Sequence, residues 1–335
     1  MLDIFGRYGL KGSPDKVQNG IQLLECNKLT LLKGSLKKMK LYWYQGRYPN
    51  FGDEINRYIW PVLIPSQFFD DDESEIFLGV GSVLFDYHPS KSTKYVFGSG
   101  YGGYTPPPDV HDGTWKIYFV RGPRTAKSLG LDDSLAIADS GILIKNFVSP
   151  PSKIPDKISF MPHWASLDNG CWESVCKDAD IFLLDPRNDV ESILDQILQS
   201  KLIIAEAMHG AIVADALRIP WIPILPLDSV NRIKWWDWAE SLGVLYNPKR
   251  LTPSSLRELK LTLLSGSRFA SKAVSVIEKS FAKKYAQKSI MSLASKNLLK
   301  ISKMDPFLSK DGNVDSSIDK ILSKIEVFKR EVGLK

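Results

Sequence analysis

Along the chain, short uninterrupted apolar runs alternate with segments of mixed polarity, and most runs end on glycine or a charged residue. In the first half the runs are 39–44 (MKLYWY), 75–80 (EIFLGV), 94–98 (KYVFG) and 115–120 (WKIYFV). In the second they are 157–161 (KISFM), 179–184 (ADIFLL), 201–205 (KLIIA) and 220–224 (PWIPI). Runs this short, apolar at consecutive positions, predict buried strands of a parallel sheet. The stretches 122–129, 190–199 and 210–217 predict helices, the second capped by Asn188 or Asp189. A proline-rich break at 149–155 (SPPSKIP) separates the halves and is the predicted linker.

Two such halves predict an α/β protein built from two Rossmann-like domains facing a central cleft, the arrangement called GT-B in glycosyltransferases. The predicted division is 39–150 for the first domain and 156–255 for the second, with 1–38 as an N-terminal extension and 256–335 as a basic helical tail. Residues 1–38 carry weak periodicity broken by Gly6, Gly9, Gly12, Pro14 and Gly20, so the ancestral domain is expected to begin near Met39. In the tail, Val274, Ile277, Phe281 and Tyr285 follow at helical spacing and predict one apolar packing face.

Composition narrows this picture only modestly. An apolar content of 44% and a charged content of 24% over 335 residues suit two globular cores and exclude global disorder. No apolar stretch reaches bilayer length, and Asp3, Arg7, Lys11, Asp15 and Lys16 interrupt any signal-like block, so a cytoplasmic location is expected. Cys26, Cys171 and Cys176 lack metal spacing and read as incidental thiols. The net charge of +6 is uneven: residues 257–335 hold 17 Lys/Arg against 8 Asp/Glu, a surplus of +9 that leaves −3 for the rest. That surplus fits a solvated helix face or peripheral contact with the inner face of the cell membrane; no nucleic-acid motif accompanies it.

In parallel α/β sheets ligands bind beyond the carboxyl ends of the strands, so the residues just after each run are the candidates for chemistry. Asn50, Gly52, Asp53 and Glu54 lie in 50–54 (NFGDE), where glycine permits a tight turn and either carboxylate suits a general base or the stabilisation of a helix start. Arg121 and Arg124 close the run 115–120; an arginine there suits a carboxylate or phosphate, or a salt bridge to the linker. His163 ends the first run of the second half, and His209–Gly210 precedes a predicted helix, a pattern suited to holding an anion. His88, His111, His163 and His209 do not cluster at ligand spacing, and neither a dinucleotide fingerprint, a P-loop nor a nucleophile elbow is present.

Taken in order, the segments 50–56 (NFGDEIN), 79–84 (GVGSVL), 96–101 (VFGSGY), 120–126 (VRGPRTA), 159–164 (SFMPHW), 206–215 (EAMHGAIVAD) and 234–242 (KWWDWAESL) resemble the polysaccharide pyruvyl transferases, and within them the xanthan-type exopolysaccharide ketal-pyruvate transferases. The resemblance spans roughly residues 39–250. It implies a GT-B-like fold, phosphoenolpyruvate as donor substrate, no cofactor and no metal, and a glycan or lipid-linked oligosaccharide acceptor. It maps the anion-binding residues onto Arg121 and His209, then onto His163 and Lys234. At Ala207 the sequence departs from many relatives, which carry arginine there, so one phosphate contact is absent or is supplied by Arg124 or Lys234. His209 or His163 is then the candidate general acid, and Asp53 or Glu54 the candidate base, with Asp237 behind them. The competing expectation is a GT-B glycosyltransferase that uses a nucleotide sugar, since the architecture would be shared.

Overall fold

The computed structural model describes residues 38–149, 155–225, 230–264 and 268–334. The expected extension therefore lies outside the described residues except for Lys38, as do Cys26 and most of the proline-rich break. The chain forms two compact units: Met1–Ser152 with Ile233–Leu245 and Ser309–Lys335, and Lys153–Arg232 with Tyr246–Leu308.

The first unit holds β1 (Met39–Tyr42), β2 (Phe69–Asp70), β3 (Glu75–Leu78), β4 (Thr93–Phe97) and β5 (Trp115–Phe119), all parallel, in the order β2-β1-β3-β4-β5. Side chains of both faces are buried, which explains why these strands read as continuous apolar runs rather than alternating ones. On one face Leu78, Val96, Val83, Leu84 and Val120 form a cluster against which Tyr42, Trp115 and Ile117 pack. On the other, Phe77 stacks on Phe97 at 4.7 Å, with Trp60 of the helix Asn56–Leu63 at 4.7 Å from Phe77.

Phe328 completes that second face, 5.2 Å from Phe97 and 5.6 Å from Tyr118. It belongs to the helix Asp311–Glu331, whose Val314, Ile318, Ile321, Leu322, Ile325 and Phe328 are buried at three- and four-residue spacing. This corrects the expectation of one helical tail over 256–335: the last helix is core of the first unit, and 233–245 joins it there. Burying a phenylalanine fully stabilises by roughly 1.5–3 kcal/mol, enough to hold a helix that propensity alone would leave marginal.

The second unit holds β6 (Lys157–Met161), β7 (Phe182–Leu183), β8 (Ser200–Ala205) and β9 (Trp221–Pro223), parallel, in the order β7-β6-β8-β9. Phe160, Ile204 and Ile222 of its sheet pack with Trp172, Val175 and Cys176 of the helix Trp172–Ala179 and with Ala294, Leu298 and Ile301 of the helix Lys283–Ile301. Burial pushes the Cys176 thiol up to about 12, consistent with an inert packing role. The expected apolar stripe divides here. Val274 is buried in the helix Arg268–Glu278, whereas Phe281 and Tyr285 are exposed, because that helix ends at Glu278 and the turn before Lys283 takes them off its packed face. Among the described residues no helix is long and apolar enough to cross a membrane.

Candidate functional site

Each sheet has one point where the chain leaves a strand for one side and returns on the other. In the second unit that point lies between β6 and β8, whose last residues Met161 and Ala205 pair. A crevice forms outside the strand ends at such a point. His163 stands two residues beyond β6, and Glu206 and His209 stand one and four residues beyond β8.

The two loops are tied together. The Glu206 and Ala207 N–H groups donate to the Met161 carbonyl at 2.9 and 3.2 Å. The Glu206 carboxylate, 5% exposed, accepts from the His163 N–H at 2.9 Å and the Ser166 hydroxyl at 2.9 Å. His163 caps the helix Trp164–Asn169, its Nδ1 accepting from the Ala165 N–H at 3.3 Å. A neutral ring accepting at Nδ1 carries its proton on Nε2. His209 sits in the first turn of the helix Met208–Ala216, where backbone N–H groups and the helix dipole favour an anion. A Cβ at Gly210 would stand 2.7 Å from Met161 Sδ, so glycine lets this helix start press directly against the end of β6.

In the first unit the corresponding point lies between β1 and β3. Asn50 precedes the short helix Phe51–Glu54, in which Gly52 is buried, and donates through Nδ2 to Asp53 Oδ2 at 2.6 Å. Asp53 Oδ1 lies 3.2 Å from where a Cβ of Gly81 would stand, so this carboxylate borders the turn after β3. Glu54 is turned elsewhere, accepting from Trp43 Nε1 at 3.1 Å and pairing with Arg57 at 3.5 Å. Asn56, fully buried, pins the two loops: Oδ1 accepts from the Val80 N–H and Nδ2 donates to the Val80 carbonyl, at 2.8 and 2.9 Å.

Arg121 occupies a different setting from the one foreseen for an anion ligand. Its side chain is 0% exposed, and Nε donates to Asp237 Oδ2 at 2.9 Å. Nη1 donates to Ser82 Oγ at 2.7 Å and Nη2 to the Tyr101 carbonyl at 3.3 Å. Asp237 in turn accepts from the Thr125 N–H and hydroxyl at 2.9 and 2.6 Å. Arg121, the expected anion ligand, and Asp237, a candidate base, are thus paired with each other inside the first unit. The pair fastens the helix Val230–Ser241 to the carboxyl end of β5. Arg124 grips Glu240 through two bonds of 3.0 and 2.6 Å, which raises its pKa further. Lys234 Nζ lies 3.4 Å from the Tyr104 hydroxyl.

The sequence reading missed Glu206 and Ser166, and also Arg187, which follows β7 and pairs with Asp185 at 2.6 Å and Asp168 at 3.1 Å. Glu206 was open to the post-strand rule that selected His209, since it directly follows an apolar run. Among the described residues no three His, Cys, Asp or Glu side chains gather into a metal-binding group.

Comparison with known proteins adds two findings. The family model of the polysaccharide pyruvyl transferases matches residues 35–229. Over 236 residues the chain is 39% identical to the succinoglycan biosynthesis protein ExoV of Rhizobium meliloti (strain 1021), covering 69% of this chain and 72% of that protein. No solved structure matches the chain significantly.

Proposed function

We propose that this chain, which belongs to the polysaccharide pyruvyl transferase family and is a pyruvyl transferase enzyme, moves pyruvate from phosphoenolpyruvate onto a sugar of an exopolysaccharide or its lipid-linked precursor as a cyclic ketal. The observation that carries the reading is the placement of His163 and His209 at the ends of β6 and β8, tied through Glu206. Such a site offers a ring N–H donor and a helix N-terminus to a small dianion. The relative's link to succinoglycan supports a secreted polysaccharide as acceptor.

The chemistry needs a proton delivered to the methylene carbon of phosphoenolpyruvate, which makes the neighbouring carbon electrophilic. One sugar hydroxyl adds there, a second displaces phosphate, and the ring closes. Of the two hydroxyl protons, one replaces the proton given to carbon and the other leaves with phosphate. His209 or His163 supplies the carbon-bound proton and Asp53 draws one from the sugar. The GT-B-like arrangement enters as part of the proposal: the unit of β6–β9 takes the donor and the unit of β1–β5 the acceptor. Val276, Phe281 and Tyr285 are 69%, 104% and 76% exposed, beside the exposed Lys279, Lys283, Lys284 and Lys288. This supports peripheral contact with an acidic lipid surface, where each lysine contributes ~1 kcal/mol.

The test is incubation with phosphoenolpyruvate and a panel of acceptor glycans, reading phosphate release and a pyruvyl mass gain. Turnover of a nucleotide sugar with none of phosphoenolpyruvate overturns the reading. Sedimentation with vesicles of phosphatidylglycerol that persists unchanged in high salt or in neutral vesicles overturns the lipid contact.

A further inference from the structure

Exposed aromatic rings usually lie loosely on a surface; Tyr104 does not. It is 47% exposed, yet its loop is built to hold the ring in one place. A Cβ at Gly102 would stand 2.4 Å from Tyr104 Cε2, 2.6 Å from its Cδ2 and 3.0 Å from Ser82 Cβ, so one edge of the ring presses on bare backbone beside the turn after β3. Any side chain at 102 would lift it. The preceding residue braces the loop, Tyr101 donating its hydroxyl to the Thr105 carbonyl at 2.5 Å. Lys234 reaches the Tyr104 hydroxyl at 3.4 Å, and Ile233 Cδ1, on a side chain 47% exposed, lies 3.7 Å from the Cβ position of Gly103.

The place matters as much as the rigidity. The turn beneath Tyr104 contains Gly81 and Ser82, and Asp53 Oδ1 borders that same turn. A ring braced in this way, with a flanking ammonium group and a carboxylate bordering the turn beneath it, suits the two faces of a pyranose. Its axial C–H bonds form an apolar face that packs on the negative face of an aromatic ring, while its rim of hydroxyls seeks donors and acceptors. Aromatic faces with a few convergent polar groups are also how small-molecule sites gain affinity and orientation.

We propose that Tyr104, with Lys234 beside it, forms a stacking subsite for a pyranose ring of the acceptor glycan on the first unit. The inference rests on the pyruvyl-transfer reading for the identity of its ligand, and its test is separable from that reading. Pyruvate-free oligosaccharides, obtained by mild acid treatment of the producing cell's exopolysaccharide, are titrated without phosphoenolpyruvate against wild type, Tyr104→Ala and Tyr104→Phe, with binding read by saturation-transfer NMR. Tyr104→Ala weakens binding roughly tenfold or more, a loss in the range of single aromatic contacts in carbohydrate-sized sites, and Tyr104→Phe retains most of it. In turnover, Tyr104→Ala raises the acceptor KM and leaves the phosphoenolpyruvate KM unchanged. Equal binding by wild type and Tyr104→Ala overturns the subsite, as does a Tyr104→Phe variant as weak as Tyr104→Ala, since the ring would then be irrelevant. Binding lost in Tyr104→Ala while wild type transfers no pyruvate sustains the subsite and sinks the reaction instead.

Discussion

The two sheets share a strand order and differ in what they set at their carboxyl ends. In the first unit the strongest cation there, Arg121, is sealed against Asp237 with 0% and 1% of the side chains exposed, and the neighbouring loops carry Asp53 and Tyr104. In the second unit the carboxylate of Glu206 accepts from the His163 N–H and the Ser166 hydroxyl, and the loops it joins carry His163 and His209. One topology thus carries two settings: a locked charge pair that orders loops, and imidazoles placed at helix starts. A strand-end position alone does not say which purpose a residue serves. Its partner does.

The largest expected effect falls on the second unit. His209→Ala lowers kcat by ~10²–10⁴-fold, the range for a positioned acid, while thermal unfolding barely moves. Unchanged kcat in a folded His209→Ala protein would transfer the acid role to His163. Next comes the locked pair. Asp237→Ala strands the Arg121 guanidinium without its counter-charge and costs about 3–5 kcal/mol, on the order of ten degrees in Tm. A variant that melted normally but lost affinity for phosphoenolpyruvate would reverse the comparison and restore Arg121 as an anion ligand.

Which partner Arg121 takes was not legible in the sequence, for a physical reason. An arginine after a buried strand looks the same in sequence whether its partner is a ligand or a carboxylate 116 positions away. The same distance problem hides the last helix, whose stripe is legible but whose seat against Phe97 is not. What depends on neighbours in the chain was read well. The run 157–161 is β6 itself, Asp189 caps the helix Val190–Leu198 by accepting from the Ser192 N–H, and the 50–54 segment does form a turn with a helix start. Short elements without a pattern escaped, such as the two residues of β2 and the helix Trp164–Asn169. Among the candidate residues, the histidines stand out in the sequence because their residue type is informative by itself. Glu206 was within reach of the post-strand rule, but its joining role depends on partners 43 and 40 positions away.

A smaller effect tests that joining role. Glu206→Ala removes the hydrogen bonds from the His163 N–H and the Ser166 hydroxyl, roughly 0.5–1.5 kcal/mol each, and loosens the tie between the loop of His163 and that of β8. The expected result is a lowered Tm together with a kcat loss smaller than that of His209→Ala. If Glu206→Ala matches His209→Ala in kcat while its Tm is unchanged, Glu206 takes part in the reaction directly rather than by holding the loops.

The smallest effect separates the units by pH. Asp237, a buried carboxylate of the first unit, is met by a guanidinium; Glu258, a buried carboxylate of the second, is 0% exposed and among the described residues accepts from neutral donors, Trp172 Nε1 at 2.8 Å and Ser254 N and Oγ at 2.7 and 2.6 Å. Burial raises the Glu258 pKa above the ordinary glutamate range, and the three hydrogen bonds offset only part of that rise. The folded state therefore holds a proton that the unfolded chain has released, and stability falls as pH climbs from the ordinary glutamate pKa to the raised one. Above that window the full penalty remains. Unfolding free energy measured across mildly acidic pH should decline with this sign in wild type, and the decline should vanish in Glu258→Leu, which has no proton to lose. A slope that survives the leucine variant would move the titration to another group and leave the two buried carboxylates alike.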